Sequence, residues 1–206
     1  MAAGAKRIVV KSGGGDGLVG VKLARIVVEN DLTIIVDDYC ISACASYVFL
    51  PAKSREVLPN SVVGFHHDNF SFGKFVEEHE GTIPERLMLQ RQEMVSLFKL
   101  KPDLKWMEFS ESALRKLKPQ FVTEGKCPPA VEDVEKSSCL QIGTLFQLWI
   151  PSRDDYEKYQ IKAEFHQPIA DAEYISRRVF CGPEFQGMPF LYGGVPFFGS
   201  PACKKP

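Results

Sequence analysis

Residues 7–36 alternate between strand and helix signals around a run of glycines, and this pattern constrains the fold more than any other stretch. Residues 7–11 are rich in β-branched side chains, as is typical of a strand. The glycine-rich residues 12–17 interrupt them, and residues 18–27 then place apolar side chains at helical spacing. A second β-branched run follows at residues 33–36. This order predicts two parallel strands with a right-handed helical connection, and therefore an α/β fold.

A segment of small residues at positions 39–46 follows the second strand. The apolar residues 47–50 come next and are able to complete a buried helix. Ser42 therefore falls at or near a helix start, where its hydroxyl would face the partial positive charge of the helix N-terminus. Such a place stabilises developing negative charge. Serine is also a common helix cap, which is the commoner interpretation of the turn by itself.

The glycine run after the first strand fits neither common phosphate-binding pattern. No Lys-Ser or Lys-Thr follows it as in a P-loop, and residues 13–18 lack the last glycine of a dinucleotide-binding fingerprint. Three consecutive glycines instead offer backbone N–H groups that a substrate carbonyl could approach closely. The alternative is a flexible turn.

Composition excludes several classes of function. The chain has 206 residues and a formal net charge of -1, which indicates no general field for binding nucleic acid. No apolar run reaches the ~20 residues that a membrane-spanning helix needs. We expect no signal peptide in this sequence, because residues 1–6 lead directly into the first strand. The cysteines lack CxxC spacing and the four histidines do not complete a zinc site, so we expect no metal and no cofactor.

The cysteine pattern indicates disulfide bonds and an oxidising compartment. The six residues fall in three sequential pairs: Cys40 and Cys44, Cys127 and Cys139, Cys181 and Cys203. The last two pairs each enclose a loop rich in proline, glycine or charge, and a bridge would restrict such a loop. The alternative is reduced, buried thiols in the cytosol.

The first pair depends on the turn. At positions i and i+4 of a regular helix the two Cα atoms would lie ~6 Å apart, which permits a disulfide. Cys40 precedes the predicted helix, so the separation follows from the path of the chain around Ser42. We predict that Cys40 and Cys44 are bridged, and that the bridge clamps the backbone on both sides of Ser42.

The remaining chain completes a predicted core at residues 1–165. Short strands are expected at residues 56–58, 62–67 and 145–150, and a helix at residues 84–100. Residues 151–152 should begin another short helix. The segment 166–206, rich in proline, glycine and aromatics, is predicted to be an irregular C-terminal extension stapled by Cys181 and Cys203.

Residues 7–67 resemble the Clp protease proteolytic subunit and its relatives in the ClpP/crotonase superfamily. The similarity is closest to exported bacterial ClpP-like proteins with a Cys-x-Ser-Ala-Cys motif, here residues 40–44, and a Gly-Phe-His motif, here residues 64–66. It implies a spiral of β-β-α units with a parallel sheet, and a further strand and helix before residue 7. The matching positions are Val10 to Gly15, Gly20, Ser42, Ala43, Arg55, Leu58 to Ser61, and His66.

The resemblance implies a set of site residues. Ser42 would be the nucleophile and His66 the general base, with His67 competing for that role. The backbone N–H groups of Gly14 and Ala43 would form the oxyanion hole. A serine hydroxyl needs such a base and such donors to act as a nucleophile. The third, acidic member would fall near Trp106, where the nearest acids are Asp103 and Glu108.

The implied function is a serine hydrolase, most simply a peptidase acting on a peptide or protein substrate without a cofactor. The implied location is the periplasm or another exported compartment, with the cytoplasm as the alternative. Assembly into a homo-oligomer is left open.

Two other functions compete with hydrolysis. The chain could be a catalytically inactive ClpP-like binding or assembly module, since superfamily members without a Ser–His pair exist. It could also be a crotonase-like acyl-CoA enzyme, which would use the same two oxyanion donors, although no basic and aromatic patch for CoA is evident.

Overall fold

A computed structural model describes most of the first and last thirds of the chain. It covers residues 4–65, 148–181, 190–192 and 195–197, and helical positions 85, 89, 90, 92, 93, 96 and 97. The statements below concern these residues.

The centre of the fold is a parallel sheet built around strand β2 (Thr33–Ile41), which pairs in parallel with β1 (Arg7–Ser12). Helix α1 (Gly17–Glu29) connects them, so the predicted α/β unit with parallel strands is confirmed. The first half of β2 also pairs with β3 (Ser54–Val57), and its second half pairs with β4 (Val62–Gly64). The sheet ends in a strand that the sequence did not predict, β6 (Glu164–Phe165), beside β3.

Local signals explain where α1 begins and which side it buries. The Asp16 side chain accepts a hydrogen bond from the backbone N–H of Val19 at 3.0 Å, which caps the helix. Val21, Ala24 and Val27 recur at helical spacing and are buried. They cover the sheet and the segment after Ser42.

Strand β2 is longer than the predicted residues 33–36 because two acidic residues interrupt its apolar pattern without ending the strand. Val10 of β1 is aligned with Val36, but Ser12 is aligned with Cys40. The extra residues of β2 form a bulge, and bulges bend a strand and redirect its side chains. The bulge leads the chain towards Ser42.

A second, three-stranded sheet contains β5 (Leu148–Ile150), β7 (Phe190–Tyr192) and β8 (Val195–Phe197). It joins the first through an antiparallel bridge between Phe65 and Trp149. The expectation of an irregular extension over residues 166–206 is therefore wrong for β7, β8 and helix α3 (Ala172–Cys181). Aromatic residues in that segment belong to strands; Phe190 of β7, for example, is buried. The predicted boundary between residues 165 and 166 stays a prediction.

The helix expected after residues 151–152 is present as α2 (Arg153–Lys158). Ser152 and Asp155 form a capping box, in which each side chain bonds the other residue's backbone N–H. Tyr156 is buried on its inner side and Tyr159 is half-buried. Within the described part of the chain, no helix is both long and apolar enough to cross a membrane.

Candidate active site

Ser42 occupies the corner where β2 ends and a helical segment begins. Its backbone N–H donates to the carbonyl of Gly64 at 2.9 Å, which holds the end of β2 against β4. Its carbonyl accepts from the N–H of Ser46 at 2.9 Å, the first turn of the helical segment. That segment continues as a π-helix (Ala45–Phe49). The structure therefore puts Ser42 at the helix start that the sequence predicted.

The backbone of Ser42 is left-handed, with φ at 59°. This region costs a non-glycine residue about 1–2 kcal/mol, so surrounding contacts must maintain it. A serine on a strained strand-to-helix turn is also how enzymes of the α/β-hydrolase fold expose a nucleophilic oxygen. Ser42 is half-buried, and no described residue makes a hydrogen bond with its hydroxyl. Among the described residues, no backbone N–H at the start of the helix donates to this hydroxyl. The interpretation of Ser42 as a simple helix cap therefore loses support.

Gly14 is pressed against this corner and has a left-handed φ of 98°. A Cβ atom on Gly14 would lie 2.6 Å from Ser42 Cβ, 2.7 Å from the Ile41 carbonyl oxygen and 2.9 Å from the Ala43 nitrogen. No side chain fits those distances, so the position requires glycine. The glycine run is therefore a close-packed part of the site at Gly14, not merely a flexible turn.

The two expected oxyanion donors differ in their surroundings. The Gly14 N–H donates to Ser12 Oγ at 3.2 Å, so it already has an internal acceptor. The Ala43 N–H precedes the first intrahelical bond, which runs from Ser46 to Ser42. The first N–H groups of a helix have no acceptor within the helix. Both groups lie beside Ser42, and one of them is engaged with a hydroxyl.

A disulfide joins Cys40 to Cys44 across the corner, with their Cα atoms 5.3 Å apart. Both cysteines are buried in the main core, and Ser42 is the middle residue of the loop that they close. This bridge was predicted on the condition that the chain turns suitably around Ser42, and it is present. The other expected pairs involve Cys127, Cys139 and Cys203, which lie outside the described residues.

The predicted base and acids also fall outside the described residues: His66, its competitor His67, Asp103 and Glu108. The last described residue before the two histidines is Phe65, whose backbone forms two hydrogen bonds with Trp149, at 2.7 and 2.6 Å. The preceding residue, Gly64, accepts the Ser42 N–H. The described backbone thus runs directly from the Ser42 corner to the position before His66.

Arg55 supports the helical segment from its far end. Its guanidinium donates to the carbonyl of Phe49 at 3.1 Å, to that of Leu50, and to that of Lys162 at 3.1 Å. Burial lowers the pKa of Arg55 to about 10, yet the group stays charged at neutral pH. Arg55 thus satisfies carbonyls that the end of a helix leaves open. This positions the segment that begins at Ser42, a role that sequence reasoning missed.

A charged cluster lies at the bulge of β2, four residues before Ser42. Asp38 Oδ2 lies 2.6 Å from Lys11 Nζ, and Asp38 Oδ1 accepts a hydrogen bond from Arg178. Burial raises the pKa of Asp38, but the hydrogen bonds and charges of Lys11 and Arg178 together lower it below its usual value. This cluster was not predicted from the sequence. Two adjacent acids inside a strand pattern, at positions 37 and 38, were the available signal.

An apolar groove of about 580 Å³ is lined by residues of β1 and α1, and also by Gly14, Ala43 and Cys44. Several of its apolar side chains are exposed, including Val9 at 61%. The groove is therefore continuous with the Ser42 corner and open to solvent along β1.

A second cavity, of about 1090 Å³, lies at the opposite end of the parallel sheet. Arg55 and Tyr156 line it, together with the first residues of β1, β2 and β3. The Tyr156 hydroxyl is buried without a hydrogen-bond partner among the described residues, and burial raises its pKa. A neutral phenol and an engaged guanidinium do not form a nucleophile–base pair, so this cavity is not the candidate active site.

Within the described ranges, no group of three or more His, Cys, Asp or Glu side chains is placed to hold a metal ion. Comparisons with family models, curated proteins and solved structures returned no match to this chain.

Proposed function

We propose that this chain is a ClpP-like serine hydrolase, acting as a peptidase, with Ser42 as its nucleophile. The observation that carries the proposal is the left-handed backbone of Ser42 at a strand-to-helix corner, with its hydroxyl unengaged by any described residue. A structural serine in a strained conformation would be expected to use its hydroxyl in compensating contacts. Ser42 retains the strain, and its oxygen has no hydrogen bond to any residue that the structure describes.

The reaction would begin when the Ser42 oxygen attacks the carbonyl carbon of a peptide. The base, His66, would take the hydroxyl proton and later give it to the leaving amine. Water would then attack the acyl-enzyme by the same route and regenerate Ser42. The strand that ends before His66 is hydrogen-bonded to the Ser42 backbone through Gly64, which supports this choice of base.

The negative oxygen of the tetrahedral intermediate would be stabilised by the N–H groups of Ala43 and Gly14. Donors fixed in advance next to the reacting carbon are the largest single contribution in many such enzymes. The Gly14 N–H would exchange its Ser12 acceptor for the oxyanion. A charge-bearing acceptor is the stronger partner, which favours the exchange.

The proposal also includes three structural features: a ClpP/crotonase spiral, an acid such as Asp103 or Glu108 that orients the base, and assembly into a homo-oligomer. The Cys40–Cys44 bridge supports an exported, oxidising location, because disulfides persist in such compartments.

A fluorophosphonate probe tests the proposal directly, because it reacts with activated serines. The wild-type chain should be labelled, and Ser42→Ala should abolish labelling. Ser54→Ala removes an exposed hydroxyl at the start of β3 and should leave labelling unchanged. Comparing His66→Ala with His67→Ala identifies the base. A wild-type chain that does not label, or a Ser42→Ala variant that labels as well as wild type, would contradict the proposal.

The second candidate is a non-catalytic binding module. One observation favours it: the internal hydrogen bond from Gly14 N–H to Ser12 Oγ, which reduces the donors free for an oxyanion. An unlabelled wild-type chain would support this alternative.

A further inference from the structure

The Cys40–Cys44 disulfide encloses the candidate nucleophile. Cys40 belongs to β2 and is aligned with Val63 of β4, so it is fixed in the sheet. Cys44 belongs to the helical segment after the corner. The bridge therefore ties the end of a strand to the start of a helix, and the three residues between them form the turn.

Among the described residues, the noncovalent restraints on Ser42 include its backbone hydrogen bonds with Gly64 and Ser46 and its close contact with Gly14. A left-handed serine relaxes towards commoner backbone angles unless its neighbours prevent it. The disulfide holds the two ends of the turn together and so opposes that relaxation. Ala43 lies between Ser42 and Cys44, so the same bridge fixes the direction of its N–H.

We propose that Cys40 and Cys44 are positioning residues for the nucleophile, and that hydrolysis requires their oxidised form. This inference rests on the proposed function. Displacing a nucleophile or an oxyanion donor by about 1 Å can reduce a rate roughly a hundredfold. The effect falls on the chemical step, so kcat should decrease more than KM increases.

The exposure of Cys40 and Cys44 differs, and this difference determines which sulfur a reducing thiol attacks first. Cys44 is 5% exposed and lines the apolar groove, whereas Cys40 is 0% exposed. A thiol that enters the groove therefore reaches the Cys44 sulfur first. It forms a mixed disulfide with Cys44 and displaces the Cys40 sulfur, which takes up a proton. The second thiol of a dithiol then attacks the mixed disulfide, leaving two protein thiols and one oxidised dithiol.

The experiment compares the rate of fluorophosphonate labelling in the oxidised chain, after dithiothreitol treatment, and after reoxidation. Mass spectrometry of alkylated peptides verifies which cysteines are free. We expect labelling to slow roughly ten- to a hundredfold on reduction and to recover on reoxidation. Cys40→Ala/Cys44→Ala should label slowly and no longer respond to dithiothreitol.

Val36→Ala is the matched control, because Val36 is buried on the same strand in the same core cluster but lies away from the corner. It should keep both its labelling rate and its response to dithiothreitol. If the double cysteine variant does not fold, the reduced wild-type chain still provides the measurement.

Brief treatment with glutathione tests the route separately, and the adduct is expected on Cys44. Equal labelling of the oxidised and reduced chains would overturn the inference while leaving the proposed function intact. An adduct on Cys40 would overturn the route. An oxidised chain that does not label would overturn the proposed function and this inference together.

Discussion

Asp38 and Ser42 have the same unusual backbone conformation in very different settings. They lie four residues apart, on either side of Cys40, with φ at 76° and 59°. Asp38 uses its side chain to bind Lys11 and Arg178, and its N–H donates to Ser61 Oγ at 2.8 Å. The Ser42 hydroxyl has no hydrogen bond to any residue that the structure describes.

The difference shows that one strained backbone geometry can occur with or without hydrogen bonds from the side chain to described residues. At Asp38, ion pairs offset the cost of the left-handed angle. At Ser42, a covalent bridge and a close glycine contact hold the backbone, and no described residue bonds the hydroxyl. The angle by itself therefore does not identify a functional residue, whereas the partners of the side chain do.

Gly14→Ala should have the largest effect on stability, because it tests whether the Ser42 corner is closely packed. The new Cβ would overlap Ser42 and adopt an unfavourable φ, so we expect a loss of about 2–5 kcal/mol in the free energy of unfolding. Gly13→Ala is the control, since a Cβ there meets nothing within 4 Å. Urea denaturation measures both. Equal stability of the two variants would mean that the loop moves freely away from the corner.

Asp38→Asn tests the other member of the comparison, and asparagine tolerates the left-handed region. We expect a loss of about 1–2 kcal/mol at pH 7, because a half-buried carboxylate loses its ion pairs with exposed Lys11 and half-buried Arg178. The folded pKa of Asp38 is below its unfolded value of about 3.9. Its stabilisation is therefore fully present above the unfolded pKa and is lost as the pH falls through the folded pKa.

Denaturation of Asp38→Asn and wild type at several pH values checks that sign, and the gap between them should narrow in acid. Asp37→Asn removes the neighbouring exposed carboxylate and should change little at any pH. A gap that persists at the lowest pH would show that the ion pairs are not its source.

Replacing both left-handed residues with glycine compares them most directly. Ser42→Gly relieves the backbone cost without removing any described side-chain bond, so it should raise stability by up to about 1 kcal/mol. For a chain of this size that corresponds to roughly 2–4 °C in Tm. Asp38→Gly relieves the same cost but loses its ion pairs, so it should be destabilising at pH 7. A clear loss of stability in Ser42→Gly would assign the hydroxyl a structural role.

Ser12→Ala should have the smallest effect. It removes the acceptor of the Gly14 N–H, a part-buried bond at 3.2 Å, and should cost less than about 1 kcal/mol. If that N–H serves the oxyanion, fluorophosphonate labelling should be unchanged or slightly faster. Much slower labelling would mean that the Ser12 hydroxyl orients the glycine loop.

Several features could be predicted because their signals are local. The βαβ unit followed from apolar periodicity over residues 7–36, and the helix start at residues 151–152 from neighbouring residues. Ser42 could be placed at a helix start because small residues follow a strand there. The C-terminal helix α3 was missed since residues 166–206 are rich in proline and glycine as a whole, which obscured ten helical residues within them.

The rest was decided by contacts between distant parts of the chain. Arg178 lies 140 residues from its partner Asp38, and no pattern along the sequence predicts that pair. Arg55 was identified only by the family resemblance. Its bonds to the carbonyls of Phe49 and Leu50 depend on where the π-helix ends, which no local pattern predicts.

By itself, the sequence determined that the chain would build a parallel α/β core and carry a serine between two cysteines at a turn. Residue spacing and β-branching are local properties, so they act before any tertiary contact forms. Only the tertiary structure decided that Ser42 is left-handed and that Gly14 lies against it. Those two features depend on packing the glycine loop onto the end of another strand, where steric exclusion and the Cys40–Cys44 bridge select a backbone angle that Ser42 would not adopt alone.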